Sequence, residues 1–147
     1  MKYVSQFKIL GETIQIRDPN RLTEIVWLGD SFTTGFQAGG SYISNPIPRI
    51  VSDKLQLNMH NFGVNASGYA TVGDGGSTFA TQANNAINDT SFDNDKVKYV
   101  CILGGLNDYN NVSLTADAIA YASKQLVTTL YNAFKNVFGI RFCYENR

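Results

Sequence analysis

Three short apolar runs, each ending in glycine and then small polar residues, constrain this chain more than any other feature. They read IVWLGDSFTTG over 25–35, NFGVNASG over 61–68 and VCILGGLND over 100–108. Short apolar runs closed by glycine are the mark of buried strands. The segments between them carry helical signals. Ser41–Leu55 is read as helical after Pro48, since proline is tolerated at a helix start. A second helix is expected at 77–88 and a last one from about Thr115 to Lys135. In the last, Ile119, Ala122, Leu126, Leu130 and Phe134 recur at three- and four-residue steps, the stripe a helix lays on a sheet. Alternating strands and helices predict an α/β doubly wound fold. Its parallel strands should lie at 24–29, 56–62 and 97–104, the first between the other two. The 97–104 strand is apolar at nearly every residue and is expected to be covered on both faces, with Cys101 a buried thiol. A fourth strand is expected to start within VFGIRFCY, 137–144.

Ligands in such sheets sit beyond the carboxyl ends of the strands. Ser31, Gly68 and Asn107 each follow the end of a different predicted strand, so all three converge on one place. A hydroxyl just past a buried strand is held rigidly and stays open to a substrate. Taken in order, GDSFTTG (29–35), the glycine block NFGVNASG and GLND (105–108) resemble the SGNH (GDSL-type) hydrolases, which carry GDSxxxG, a glycine block and GxND. The resemblance covers about Ile25 to Asn111. It implies a flavodoxin-like parallel sheet and a serine esterase chemistry on a small ester or an acylated carbohydrate. It needs no cofactor and no metal.

Ester cleavage by serine requires an attacking oxygen, a base for its proton, and donors for the developing oxyanion. The resemblance assigns the first role to Ser31. It assigns the donors to the Ser31 N–H, the Gly68 N–H and the side-chain amide of Asn107. Glycine at 68 would let the backbone approach the substrate oxygen, and the asparagine amide stays neutral at every working pH. Gly63 competes with Gly68 for the glycine role; Gly68 is preferred for the Ala-Ser before it, and Gly63 is read as a strand end. Gly29, Asp30, Gly35, Gly105 and Asp108 complete the motifs. Asp30 and Asp108 are read as supports that cap turns or helix starts, not as triad acids.

The family's base and orienting acid lie in a DxxH motif near the C-terminus, and none of these 147 residues form one. The single histidine, His60, precedes the glycine block and is read as a packed or solvent-facing residue. The triad is therefore incomplete, and the simplest expectation is a C-terminally truncated product or fragment. The fold would be incomplete at that end, and its uncovered sheet edge would favour self-association.

Residues 3–16 alternate apolar and polar around Leu10-Gly11-Glu12, which predicts a β-hairpin; Asp18-Pro19-Asn20 is a break. The expected division is therefore an N-terminal β extension over 1–20 and a partial hydrolase domain over 21–147. A hairpin followed by a GDS domain also resembles proteins of bacteriophage tail and cell-surface gene clusters. That keeps open an alternative, a non-catalytic binding or structural module of such an assembly. The loop TVGDGGS (71–77) lacks the lysine and glycine spacing of a phosphate cradle and is expected to be a mobile rim of the pocket.

Twelve basic and twelve acidic residues cancel, with no basic cluster, so nucleic acid is not an expected partner. Charged residues are only 16%, against about 25% in typical domains, so Asn, Ser and Thr must supply much of the polar surface. Fifteen asparagines and 12% aromatics suit hydrogen bonding and stacking on sugars. Two cysteines without a framework give no disulfide argument. The first residues contain no hydrophobic signal region, and the longest apolar runs are too short to span a bilayer. A cytoplasmic or virion-associated protein without a membrane partner is expected.

Overall fold

β3, Glu24–Gly29, is the centre of the fold, with all six residues buried. The computed structural model describes residues 6–9, 12–15, 23–137 and 139–143, with side chains described for 23–137. Two strands precede β3: β1 (Gln6–Ile9) and β2 (Glu12–Gln15) form an antiparallel sheet of their own, the expected hairpin. After it come α1 (Ser31–Thr34), α2 (Ile47–Leu55), β4 (Asn58–Asn61), α3 (Phe79–Asn88), β5 (Val97–Leu103), α4 (Leu106–Asn110), α5 (Ala116–Ala133) and β6 (Gly139–Cys143). The main sheet has the order β4-β3-β5-β6, with every neighbouring pair parallel. The chain thus forms the expected doubly wound α/β sheet, with β3 between β4 and β5. The Asp18–Asn20 break lies outside the described residues.

Strand alternation divides β3 between two layers. Val26 and Leu28 join Phe79, Ala83 and Ala86 of α3, Leu126 and Leu130 of α5, and Val97, Val100 and Ile102 of β5 in one buried cluster. Fully burying such a side chain contributes about 1.5–3 kcal/mol, so this layer is the main source of stability. Phe134 completes the helical stripe, while Ile119 and Ala122 are only partly buried against the cluster. On the other face, the Trp27 indole N–H donates to the Ser52 hydroxyl of α2 at 3.1 Å.

Coverage of β5 departs from the expectation. Val97, Val100 and Ile102 are buried, but Tyr99 is 36% exposed and Cys101 and Leu103 are half-buried. α3 and α5 cover one face of β5, whereas α2 packs on β4 and, through Ser52, on Trp27 of β3. An apolar run alone could not show which layer would be filled. β4 is also shorter than the predicted 56–62, because Gln56 turns into the left-handed region (φ 58°) to close α2. α2 starts one residue before Pro48, and α3 starts at Phe79 behind a Thr78–Thr81 capping box.

Candidate active site

The backbone leaves β3 through Gly29, and the turn there is sterically demanding. A Cβ on Gly29 would overlap Thr33 Oγ1 and the Leu103 carbonyl, so glycine is required by close packing. Asp30 follows as the N-cap of α1, and its Oδ1 accepts the Phe32 N–H at 3.0 Å. Ser31 is therefore the first helical residue, with a backbone N–H that has no intrahelical acceptor. Its side chain is half-buried. No hydrogen-bond partner of its hydroxyl lies among the described residues. Gly35 closes α1 in the left-handed region (φ 78°), its N–H returning to the Ser31 carbonyl at 2.9 Å.

The second and third motifs meet this turn through side-chain bonds. Asn107 Nδ2 donates to the Ser67 carbonyl at 2.8 Å and reaches Asp30 Oδ2 at 3.4 Å. The first bond holds one amide hydrogen firmly. The second is at the outer limit of hydrogen bonding and leaves the other hydrogen weakly held. Gly105, at φ 114°, starts the short helix that carries Asn107 and Asp108. Asp108 is buried, and its carboxylate accepts three backbone N–H groups. These are Tyr69 at 2.7 Å, Ala70 at 3.0 Å and Thr71 at 2.9 Å. Asp30 thus caps a helix start, and Asp108 gathers a turn.

Gly68 differs from the expectation. Its N–H donates to the Thr71 carbonyl at 2.9 Å and does not stand free. The cause is the Asp108 carboxylate, which draws the 69–71 turn closed over itself. A Cβ at Gly68 would lie 2.5 Å from both Asp108 oxygens, so glycine here makes room for that carboxylate. Gly63 lies two residues past the end of β4 at Asn61 and does not end the strand as expected; it sits tight against Thr33. Ala66, between the two, has φ 59°, a strained value for a residue with a Cβ.

The 71–77 loop is also tied down more than a mobile rim would be. The Asp74 N–H donates to the Asn65 carbonyl at 3.1 Å and Gly73 N–H to Ser77 O at 2.8 Å. Its outer part remains open: Val72 is 63% exposed, and a Cβ at Gly75 or Gly76 would meet nothing.

His60 is not part of this site. Its Nε2–H donates to Glu24 Oε2 at 2.8 Å, and its ring stacks on Phe92 at 3.9 Å between centroids. Glu24 begins β3 and Gly29 ends it, a separation of roughly 17 Å at strand rise. The His60 backbone lies opposite Val26, and its side chain packs back toward the amino end of β3 against Glu24 and Phe92.

Gln82 was not singled out from the sequence, yet it bonds Gly29 and Ser67 directly. The available signal was a polar residue on the buried α3 stripe of Phe79, Ala83 and Ala86. Thr34 and Asn65 were missed too; the Thr34 hydroxyl donates to Asn65 Oδ1 at 2.6 Å, joining α1 to the glycine block. No group of three or more His, Cys, Asp or Glu side chains is arranged to hold a metal among the described residues. No helix among them is long and apolar enough to cross a membrane.

Among solved structures, the chain is similar to a family two carbohydrate esterase from Clostridium thermocellum in complex with cellohexaose. That match has a TM-score of 0.65 and 16% identity, covering 89% of this chain and 46% of that one. It is similar also to an acetyl xylan esterase from the rumen bacterium Butyrivibrio proteoclasticus, with TM-score 0.64 and 15% identity over 92% of this chain and 50% of that one. A Corynascus thermopiles family 2 carbohydrate esterase gives TM-score 0.60 at 15% identity, over 90% and 47% of the two chains. At these identities the likeness shows the fold. The chain spans about half the length of these structures. No curated protein matches by sequence. The family model for GDSL-like lipases and acylhydrolases matches residues 25–142, from the start of β3 through most of β6. That span contains Ser31, Gly68 and Asn107, and the chain belongs to the GDSL-like lipase/acylhydrolase family.

Proposed function

We propose that this chain carries the nucleophile and oxyanion half of a serine esterase site, acting on an acylated carbohydrate or another small carboxylic ester. The observation that carries the reading is the bond set of Asn107, which joins the GDS turn at Asp30 to the glycine block at Ser67. In this reading Ser31 Oγ attacks the ester carbonyl. The Ser31 N–H and the weakly held Asn107 amide hydrogen face the developing oxyanion. Gly68 N–H joins them only where its bond to Thr71 opens. Gly29, Asp30, Gly35, Gly105 and Asp108 hold the backbone that aims these groups. The carbohydrate part of the proposal draws on the likeness to carbohydrate esterases. We also read residues 1–20 as a β extension and 21–147 as the partial hydrolase domain.

No general base stands beside Ser31 among the described residues, and the one histidine is engaged elsewhere. Removing the triad histidine of subtilisin costs on the order of 10⁶ in turnover. What persists without a triad member is on the order of 10³–10⁴ over water. That remainder owes nothing to the serine, so the expected activity of this chain on p-nitrophenyl acetate is of that size, and a Ser31-dependent part is expected when a base is supplied as added imidazole. Equal rates for the parent and Ser31→Ala with imidazole present would reject the esterase reading. They would favour the second one, a non-catalytic carbohydrate-binding or structural module. The bond from Gly68 N–H to Thr71 is the observation that keeps that second reading in view.

A further inference from the structure

Gln82 has no solvent exposure (0%). A buried amide is costly unless its polar atoms are bonded, and both of this one's polar atoms are bonded within the candidate site. Its Oε1 accepts the Gly29 N–H at 2.8 Å. Its Nε2 donates to the Gly29 carbonyl at 2.9 Å and to the Ser67 hydroxyl at 2.8 Å. The side chain therefore pairs with both backbone polar groups of one residue, as a neighbouring strand would. The sheet explains the need. β4 pairs with β3 only as far as Asn61 opposite Trp27, whereas β5 continues to pair through Gly29. At Gly29 one side of the strand has lost its strand partner, and Gln82 takes its place together with Val64 N–H, which reaches Gly29 O at 2.9 Å.

We propose that Gln82 is a positioning residue for the nucleophile turn and the glycine block, acting through Gly29 and Ser67. Gly29 lies two residues before Ser31, and Ser67 lies immediately before Gly68 and supplies the carbonyl that anchors Asn107. One amide thus sets the distance between the attacking hydroxyl and two of its candidate oxyanion donors. The inference rests on the esterase reading for its catalytic consequence, but the positioning itself can be observed without activity.

The test compares Gln82→Met and Gln82→Glu with the parent chain. Three quantities are read: Ser31-dependent hydrolysis of p-nitrophenyl acetate with imidazole supplied as the base, its pH profile, and amide hydrogen exchange. In Gln82→Met, kcat should fall roughly ten- to a hundredfold with little change in KM, the effect of small misplacement in a reacting pair. Exchange should quicken at 29–31 and 67–68 while Val100–Ile102 stay protected. In Gln82→Glu, the carboxylate keeps an acceptor for Gly29 N–H and loses the donor. Burial favours its protonated form, which donates again, so activity relative to the parent should recover toward acid in this variant and not in Gln82→Met. Unchanged kcat, exchange that rises uniformly across the sheet, or a missing acid-side recovery would each make Gln82 an ordinary core amide and overturn the proposal. If Gln82→Met does not fold, the Gln82→Glu profile decides. If Ser31→Ala hydrolyses the ester as fast as the parent with imidazole present, the esterase reading fails; local loss of protection then supports Gln82's role and uniform loss overturns it.

Discussion

At the carboxyl ends of β3 and β5, carboxylates and amides bond to backbone, and the Ser31 hydroxyl has no hydrogen-bond partner among the described residues. At the amino ends, the chain's only histidine pairs with Glu24 and stacks on Phe92. Both ends hold residues capable of acid–base or nucleophilic chemistry. They differ in what the surrounding backbone demands. Loops at the carboxyl ends turn sharply over one another, so their N–H groups need acceptors, and Asp30, Gln82 and Asp108 supply them. At the amino end β3 and β4 pair in regular register from Glu24 opposite Asn58, so side chains find one another, with Asn58 Nδ2 also donating to Glu24 Oε1 at 3.3 Å. A histidine in the sequence is therefore no evidence for a base; which end of the sheet it occupies decides that.

The largest expected effect that would break this contrast concerns Asp108. Asp108→Ala leaves the N–H groups of Tyr69, Ala70 and Thr71 without their acceptor in a partly buried turn. Each bond to a charged group is worth about 1.5–3 kcal/mol, and the three overlap, so a loss of about 4 kcal/mol is expected in urea denaturation. That is a large part of the 5–15 kcal/mol typical of a domain. Asp108→Asn should cost less, since its carbonyl still accepts. A loss below about 1 kcal/mol for the alanine variant would show that the turn does not depend on this carboxylate.

The next prediction sharpens the difference between the two ends. His60→Ala removes one partly buried hydrogen bond and one ring stack, so a stability loss of about 1–2 kcal/mol is expected. Ser31-dependent ester hydrolysis per folded molecule should not change. A fall in that hydrolysis with stability preserved would place His60 in the catalytic cycle, against the geometry.

The smallest effect lies at the margin of the His60 cluster. The Asp89 carboxyl is held below its ordinary 3.8, first by the backbone N–H of Ser91, then by the Ser91 side chain, with the charge of His60 a lesser aid. A depressed folded value means the contribution is present above the unfolded value and is lost as pH falls through the folded one. The difference in melting temperature between the parent and Asp89→Asn should therefore be small, constant near neutrality, and vanish below the usual carboxylate range. A difference that grows on acidification would give the shift the opposite sign.

Much of the fold was legible because its signals are local. Apolar runs that stop at Gly29 and at Gly104–Gly105 mark strand ends, and the Leu126–Leu130–Phe134 step marks the face of α5 on the core. The convergence of Asp30, Asn107 and Asp108 on the segment around Ser31 was legible because motif order survives in one dimension. Gly68 shows the limit of that legibility. Its identity could be read, but the bond made by its N–H depends on a carboxylate 40 residues away.

By itself the sequence determined the strand order around β3, the helix stripes and which three motifs meet at the carboxyl ends of the strands, since these follow from periodicity, chain chirality and motif order. Tertiary structure alone decided which polar groups remain available. Gln82 looked like one polar residue on a helix and became the partner of Gly29 because β4 ends two residues too early to serve. Tyr99 looked like core and stays 36% exposed because α2 covers the other half of the sheet. Hydrogen-bond satisfaction and layer coverage depend on groups distant in the chain, and no local pattern encodes where those groups will come to rest.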